Sequence, residues 1–256
     1  MNYGFKTYVP STALFKSISR YYLPWFTDQL SNGKSDWYNA GYGDILKDNE
    51  ESVTQWARNT WTSCYTQIQY INLFLENKDK VHDAAQRQRV EGEAHFFRAY
   101  YYYMLWRRFG GVLLIDHTYD PLTHAEKFPR ASYEQMVSFI VAEAGKADSL
   151  LAVTNGASDV GRVTRGAAIM LKAKTYLWAS SPVFQNKSKS YLGFTGDQSQ
   201  TMLQKARAAY DELFALNRYQ LVPVTATTQD GIRDEYRKIF TTKNTSESIL
   251  EVQHSD

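Results

Sequence analysis

Apolar residues recur along most of this chain at the spacing of three to four that places them on one face of an α-helix. A first such segment runs from about Ser52 to Glu76. Five of its residues share one face: Trp61, Tyr65, Ile68, Asn72 and Leu75. Asn72 is the polar exception among them. The spacing therefore predicts a long amphipathic helix whose apolar face includes one amide side chain.

A second helix is predicted from about Asp83 to Phe109, and it is apolar around two neighbouring faces. The two faces comprise Val90, Ala94, Phe97, Tyr101 and Leu105, and beside them Phe96, Tyr100 and Tyr103. A helix that is apolar so far around is expected to be buried on two sides. Gly110 and Gly111 are expected to end it, since glycine accepts the left-handed conformation found just past many helices.

Three further helices are predicted downstream. Ser132 and Gln135 form a capping-box pattern that begins a third helix, Thr164 can cap a fourth, and a fifth follows the polar loop 186–200. Short strands are expected only at Val112–Ile115, Tyr219–Val222 and Glu247–Gln253. The fold class is therefore mostly α, with antiparallel, tetratricopeptide-like helix pairs joined by long loops in a single domain, residues 1–256. No strict 34-residue repeat is present.

The composition of the chain excludes several classes of function. Its 256 residues carry 29 Lys and Arg against 27 Asp and Glu, a formal charge of +2. That balance argues against nucleic acid or an anionic bilayer as the main partner. The single cysteine excludes an intrachain disulfide framework and a cysteine-based zinc site. No uncharged apolar run reaches the roughly 18 residues of a membrane span.

Motifs for catalysis or for cofactor binding are missing from the sequence. The five histidines never occur at H-E-x-x-H spacing, and there is no P-loop, dinucleotide fingerprint or G-x-S-x-G elbow. Cys64 fits a structural thiol better than a nucleophile, because no neighbour in sequence would lower its pKa. We therefore expect no catalytic residue, no metal and no cofactor.

The loop at residues 25–44, WFTDQLSNGKSDWYNAGYGD, interleaves aromatic rings with short polar side chains. Sugars present an apolar C–H face that stacks on a flat ring and hydroxyls that amides and carboxylates can bond. The loop's candidate ligand residues are Trp25, Asp36, Trp37, Tyr38, Asn39 and Tyr42. The alternative interpretation is that these rings only pack into the helical core beneath the loop.

The segment from Gly92 to Asp116, GEAHFFRAYYYYMLWRRFGGVLLID, closely resembles the signature helix of the SusD/RagB family. Similar family patterns flank it in the expected order, at WTSCYTQIQYINLFLEN, PRASYEQMVSFI, GRVTRGAAIMLKAKTYLWASSPVFQ and ESILEVQ. Leu113 stands where the family usually has proline. The structural motif residues of the resemblance are Trp61, Tyr65, Asn72, Glu93, Phe97, Arg98, Tyr100, Gly110 and Gly111.

The resemblance implies a non-catalytic protein that binds oligosaccharide or polysaccharide at the bacterial outer membrane, of the Bacteroidetes type. It also implies a lipoprotein that docks on a SusC-like TonB-dependent transporter, and motif residues that serve architecture and not ligand. Family members are about twice this long, so we expect a downstream half and a lipidated N-terminal cysteine to be missing from this sequence.

Two other functions stay open at this point. The RagB branch of the family makes a helical-repeat scaffold for a peptide or protein a real alternative to a glycan binder. A glycosidase using Asp36 and Asp44 is disfavoured, because such enzymes hold two carboxyls roughly 5–9.5 Å apart across a cleft. No pattern in the sequence places such a pair.

Overall fold

The computed structural model describes residues 50–119 and 128–251. By its internal contacts the chain divides into two compact units, with the boundary between Thr66 and Gln67. The described part of the first unit is helical up to Thr66. The second unit contains the complete helices that follow.

The described residues form six α-helices, which confirms the mostly helical fold class. They are α1 (Glu50–Glu76), α2 (Ala84–Phe109), α3 (Tyr133–Leu150), α4 (Arg165–Ala179), α5 (Ser199–Ala215) and α6 (Gln229–Thr241). Three single turns of 3-10 helix lie between them, at Lys78–Lys80, Ala157–Asp159 and Pro182–Phe184. The predicted capping box of Ser132 and Gln135 is present at the start of α3, with both reciprocal hydrogen bonds.

Helices α2, α3, α4 and α5 pack in chain order: α2 against α3, α3 against α4, and α4 against α5. Glycine and alanine allow this close approach. A Cβ atom at Gly92, in the middle of α2, would lie 2.9 Å from Leu151 Cγ, so a larger residue would push the end of α3 away. Four alanines of α4 are buried: Ala167, Ala168, Ala173 and Ala179.

Aromatic rings fill the centre of this helical array. Tyr133 lies within 5.2 Å, between ring centroids, of Trp106, Phe184 and Phe194. Tyr102 is completely buried, and its hydroxyl oxygen accepts from the Ile115 amide at 2.7 Å. Many of the chain's aromatic residues therefore serve packing, with polar tips that secure the backbone nearby.

The strand predictions were largely wrong for the described residues. Val112–Ile115 contributes a single antiparallel bridge, between Leu113 and Arg130. Tyr219–Val222 and the described part of Glu247–Gln253 form no strand. The Gln220 amide donates to the Ser246 carbonyl at 3.1 Å, but the Val222 amide donates to the side chain of Glu247 at 2.7 Å. These two bonds therefore do not form a backbone ladder.

Helix α6 was not predicted, although Thr228 caps it and apolar residues recur at every fourth position. No α6 residue is buried, and Ile232, Tyr236 and Phe240 are 44%, 59% and 73% exposed.

None of the helices in the described ranges is both long enough and apolar enough to cross a bilayer.

Candidate functional site

The six residues predicted to contact a glycan lie in the aromatic loop 25–44, outside the described residues. They are Trp25, Asp36, Trp37, Tyr38, Asn39 and Tyr42. Their role in ligand binding therefore stays a prediction. The motif residues of α1 and α2 lie within the described ranges.

A buried polar network joins α2 to α3 around the carboxylate of Glu143, whose residue is 1% exposed. One oxygen lies 2.7 Å from both Arg98 Nε and His95 Nδ1, and the other accepts from Lys146 Nζ at 2.8 Å. Burial alone would raise the pKa of Glu143, but these three hydrogen bonds outweigh it and lower the pKa to about 2. Glu143 is therefore ionised at neutral pH and holds the two helices together.

Asn72 extends this network to α1 and to the segment after α2. Its amide nitrogen donates to the carbonyls of Ile115 and His117, both at 3.0 Å, and its oxygen accepts from Arg98 Nη1 at 3.0 Å. Because Asn72 is 0% exposed, these three bonds replace water that the side chain cannot reach. The polar exception on the apolar face of α1 thus positions the chain that leads towards residue 119.

Glu93 forms a second buried link, from α2 to the α3–α4 loop. Its two carboxylate oxygens accept from Arg162 Nε at 2.7 Å and Arg162 Nη2 at 2.6 Å, a bidentate pair. The hydrogen bond with Glu93 raises the pKa of Arg162. Gly161, beside this arginine, has a φ of 88°, which only glycine adopts easily. The loop is therefore held to α2 at a sharp turn.

Gly110 and Gly111 end α2 where the loop before α5 crosses the chain. Gly110 has a φ of 68°, and a Cβ atom there would lie 2.2 Å from the Tyr191 carbonyl oxygen. A Cβ atom at Gly111 would lie 1.9 Å from the Ala131 carbonyl oxygen. The Gly111 amide instead donates to Tyr191 O at 2.7 Å. Both glycines are thus required by close backbone contact.

The remaining aromatic motif residues are less buried than their positions on the predicted faces suggested. Phe97 and Tyr100 are half-buried, whereas Tyr102 and Trp106 lie deepest in α2. Trp61 and Tyr65, in the first unit, are also half-buried, with ring centroids 4.9 Å apart. Cys64, between them in sequence, is buried.

A groove of about 190 Å³ opens on the second unit, where three segments meet. The segments are the α3–α4 loop at 153–164, residues 218–219 after α5, and residues 244–251. This groove was not predicted from the sequence. Its signals were the left-handed residues Gly161, Asn217 and Asn244, which turn the chain at the groove or directly beside it.

No three histidine, cysteine, aspartate or glutamate side chains converge on a possible metal position within residues 50–119 and 128–251. The buried polar groups of Asn72, Arg98 and Glu143 bond to one another and to the backbone.

The sequential packing of α2, α3, α4 and α5, with the buried network at the signature helix, places the chain in the class of helical-repeat proteins. A family model described as "SusD-like_3: Starch-binding associating with outer membrane" matches residues 11–177. The chain therefore belongs to the SusD-like family, as the sequence resemblance predicted. No curated protein sequence matches it.

Solved structures show the same fold. A SusD-like protein from Bacteroides fragilis is 27% identical, with a TM-score of 0.61 over 78% of this chain and 34% of its own. A laminarin-binding SusD-like protein is 25% identical, with a TM-score of 0.60 over 77% of this chain and 38% of its own. A structure with xylogluco-oligosaccharide, 20% identical with a TM-score of 0.60, covers 82% and 39% and supports the fold alone. The chain thus spans well under half the length of these relatives.

Proposed function

We propose that this protein binds oligosaccharide without catalysis and delivers it to a SusC-like TonB-dependent transporter at the bacterial outer membrane. The observation that carries the proposal is the family match over residues 11–177, which includes the aromatic loop and the signature helix. Relatives that share the fold include a laminarin-binding protein and one solved with xylogluco-oligosaccharide. We propose that the full-length protein is a surface-exposed lipoprotein.

Within this function, the aromatic loop 25–44 provides the main contact with the glycan. Trp37, with Tyr38 or Trp25 as a second ring, forms a stacking platform, while Asp36 and Asn39 bond sugar hydroxyls. The loop contains three aspartates and one lysine, so it favours a neutral sugar over an acidic one.

Substitution of Trp37 tests this proposal. In the full-length protein, Trp37→Ala is expected to weaken glycan affinity by roughly 30-fold, about 2 kcal/mol, because a desolvated aromatic anchor dominates binding. Calorimetric titration with oligosaccharides of starch, laminarin and xyloglucan measures it. Tyr70→Ala is the matched control, since the Tyr70 ring is 62% exposed on α1. The glycan affinity of this variant should equal that of the unmodified protein.

Two results would contradict the role of the loop. If Trp37→Ala lowers the melting temperature but leaves the affinity of the folded protein unchanged, the ring belongs to the core. If no glycan of the panel binds the unmodified protein, oligosaccharide binding itself is wrong. Release of reducing sugar would contradict the absence of catalysis.

A peptide-binding scaffold of the RagB type remains the alternative, and one observation favours it. Ile232, Tyr236 and Phe240 form an exposed apolar stripe along α6, the kind of surface that binds an extended or helical peptide. Capture of peptides by the protein, together with no response to any glycan, would establish this alternative.

Delivery to a transporter is tested separately from ligand binding. We expect the full-length protein to co-purify from outer membranes with a TonB-dependent transporter. Recovery of the protein without any such transporter, under conditions that preserve membrane complexes, would contradict the proposed partner.

A further inference from the structure

We propose that the groove between the α3–α4 loop and residues 244–251 is a second saccharide site, which binds one neutral pyranose ring. The inference rests on the proposed function, because it assigns another contact with the same class of ligand. It is independent of the aromatic loop, since every lining residue lies in the described part of the second unit.

Arg218 is the main donor that the groove offers to a ligand. The side chain is exposed and makes no ion pair or hydrogen bond within the described ranges, whereas Arg162 in the same lining is held by Glu93. A guanidinium carries five N–H donors in a planar fork, which can bond two adjacent sugar hydroxyls. Thr154, also exposed in the lining, adds a hydroxyl that can donate or accept.

The charges of the lining balance, which favours a neutral sugar over a uronic acid or a phosphate. Arg162 is neutralised by Glu93, and Arg218 is matched by Glu251. Glu251 is itself engaged in the turn, where it accepts from the Asn244 amide at 2.9 Å and from the Ser248 hydroxyl. An anionic ligand would thus meet a carboxylate as well as a guanidinium.

Apolar side chains supply the second requirement of a sugar site, a surface for C–H groups. Val153, Ile249 and Leu250 line the groove together with Tyr219. Tyr219 lies against α4 at Gly166, where a Cβ atom would be 2.1 Å from the tyrosine hydroxyl. The lining therefore combines an aromatic ring and aliphatic surface with the donors of Arg218 and Thr154.

The size and rigidity of the groove limit the ligand to a small unit. About 190 Å³ is below the roughly 300 Å³ at which pockets for drug-sized ligands begin, so one sugar ring is the appropriate size. The wall formed by the α3–α4 loop is held in place by the Arg162–Glu93 pair and by Asn155, whose amide donates to Arg162 O at 2.9 Å. Because this wall is already ordered, binding loses less conformational entropy than it would at a flexible loop.

The test uses the full-length protein with methyl groups of Val153, Ile249 and Leu250 labelled for NMR. Oligosaccharides of starch, laminarin and xyloglucan are titrated in turn. We expect these methyl signals to shift, and Arg218→Ala to weaken the response about tenfold. Arg207→Ala is the control, since Arg207 is exposed on α5 and lies outside the groove.

The outcomes separate this inference from the proposed function. If a glycan binds while the three methyl signals stay unchanged, the groove is not a saccharide site, and binding through the aromatic loop still stands. If Arg207→Ala weakens the response as much as Arg218→Ala, the effect is general charge and the inference is overturned. If no glycan binds at all, the proposed function fails and the groove site fails with it.

Discussion

Replacing Glu143 by glutamine is expected to lower the free energy of unfolding by about 3–5 kcal/mol at neutral pH. The substitution keeps the size of the side chain but removes its charge. His95, Arg98 and Lys146 all bond to the carboxylate, and a glutamine oxygen cannot replace two carboxylate oxygens. The variant leaves the buried guanidinium of Arg98 without its counter-ion, which is the costly part of the change.

The lowered pKa of Glu143 corresponds to a stabilisation of the same order. The three hydrogen bonds lower the pKa from 4.5 to about 2 against the opposing effect of burial. Since one pKa unit corresponds to 1.36 kcal/mol, the ionised carboxylate stabilises the folded state by about 3 kcal/mol relative to the unfolded chain.

Urea unfolding followed by tryptophan fluorescence measures the change. We expect a lower midpoint at an unchanged slope, because the substitution changes stability and not the surface exposed on unfolding. Glu134→Gln is the matched control: Glu134 is exposed in the first turn of α3, where loss of a charge should cost less than about 1 kcal/mol. A loss below about 1 kcal/mol for Glu143→Gln would refute the reasoning, since a buried pair was expected to cost at least 3.

The pH dependence gives a second check on the same residue. Because the pKa of Glu143 is lower in the folded state, its contribution is complete above about pH 4.5 and is lost as the pH falls towards 2. The difference in stability between the unmodified protein and Glu143→Gln should therefore shrink over this range. A difference that stays constant from pH 7 to pH 2.5 would mean that the carboxylate charge is not the cause.

The remaining stability predictions compare matched pairs of substitutions by the same urea assay. Gly111→Ala should lower the free energy of unfolding by more than about 3 kcal/mol, because its Cβ atom would overlap the Ala131 carbonyl. Gly145→Ala is the matched substitution, and it should stabilise α3 by about 0.5–1 kcal/mol because nothing lies within 4 Å of the new atom. Near-equal effects would show that the close contact at Gly111 is wrong. Asn72→Ala should lower the free energy of unfolding by about 3 kcal/mol. Asn77→Ala should lower it by less than about 0.5 kcal/mol, because the hydrogen bonds of Asn77 are exposed. An Asn72→Ala protein as stable as the unmodified one would contradict the buried network.

The helices could be predicted because their signals are local. Periodic apolar positions and the capping residues Ser132 and Gln135 act within a few residues of the backbone they control. The signature residues were recognised, and Asn72 was marked as a polar exception on an apolar face. Its partners were not predictable, because Ile115 and His117 lie 43 and 45 positions further along the chain.

The errors follow from the same distinction. A strand needs a partner in space, and the bonds made by Gln220 and Val222 alternate between a backbone carbonyl and a glutamate side chain, so no ladder forms. The groove was missed because its walls come from three segments far apart in sequence. Gly161 and Asn244 adopt positive φ at bends of the chain, but residue type alone does not show which bends meet.

The helical class, the positions of the five predicted helices and the membership of the family could all be read from the sequence, since each depends on residue types at short, regular spacing. The three-dimensional packing was needed to show which polar groups are buried together around Glu143 and which glycines are required by contact. It was also needed to show that Arg218 has no partner in the described part of the chain. The physical reason is that burial and hydrogen bonding depend on distances in space, and packing of helices sets those distances among residues that the linear pattern leaves far apart.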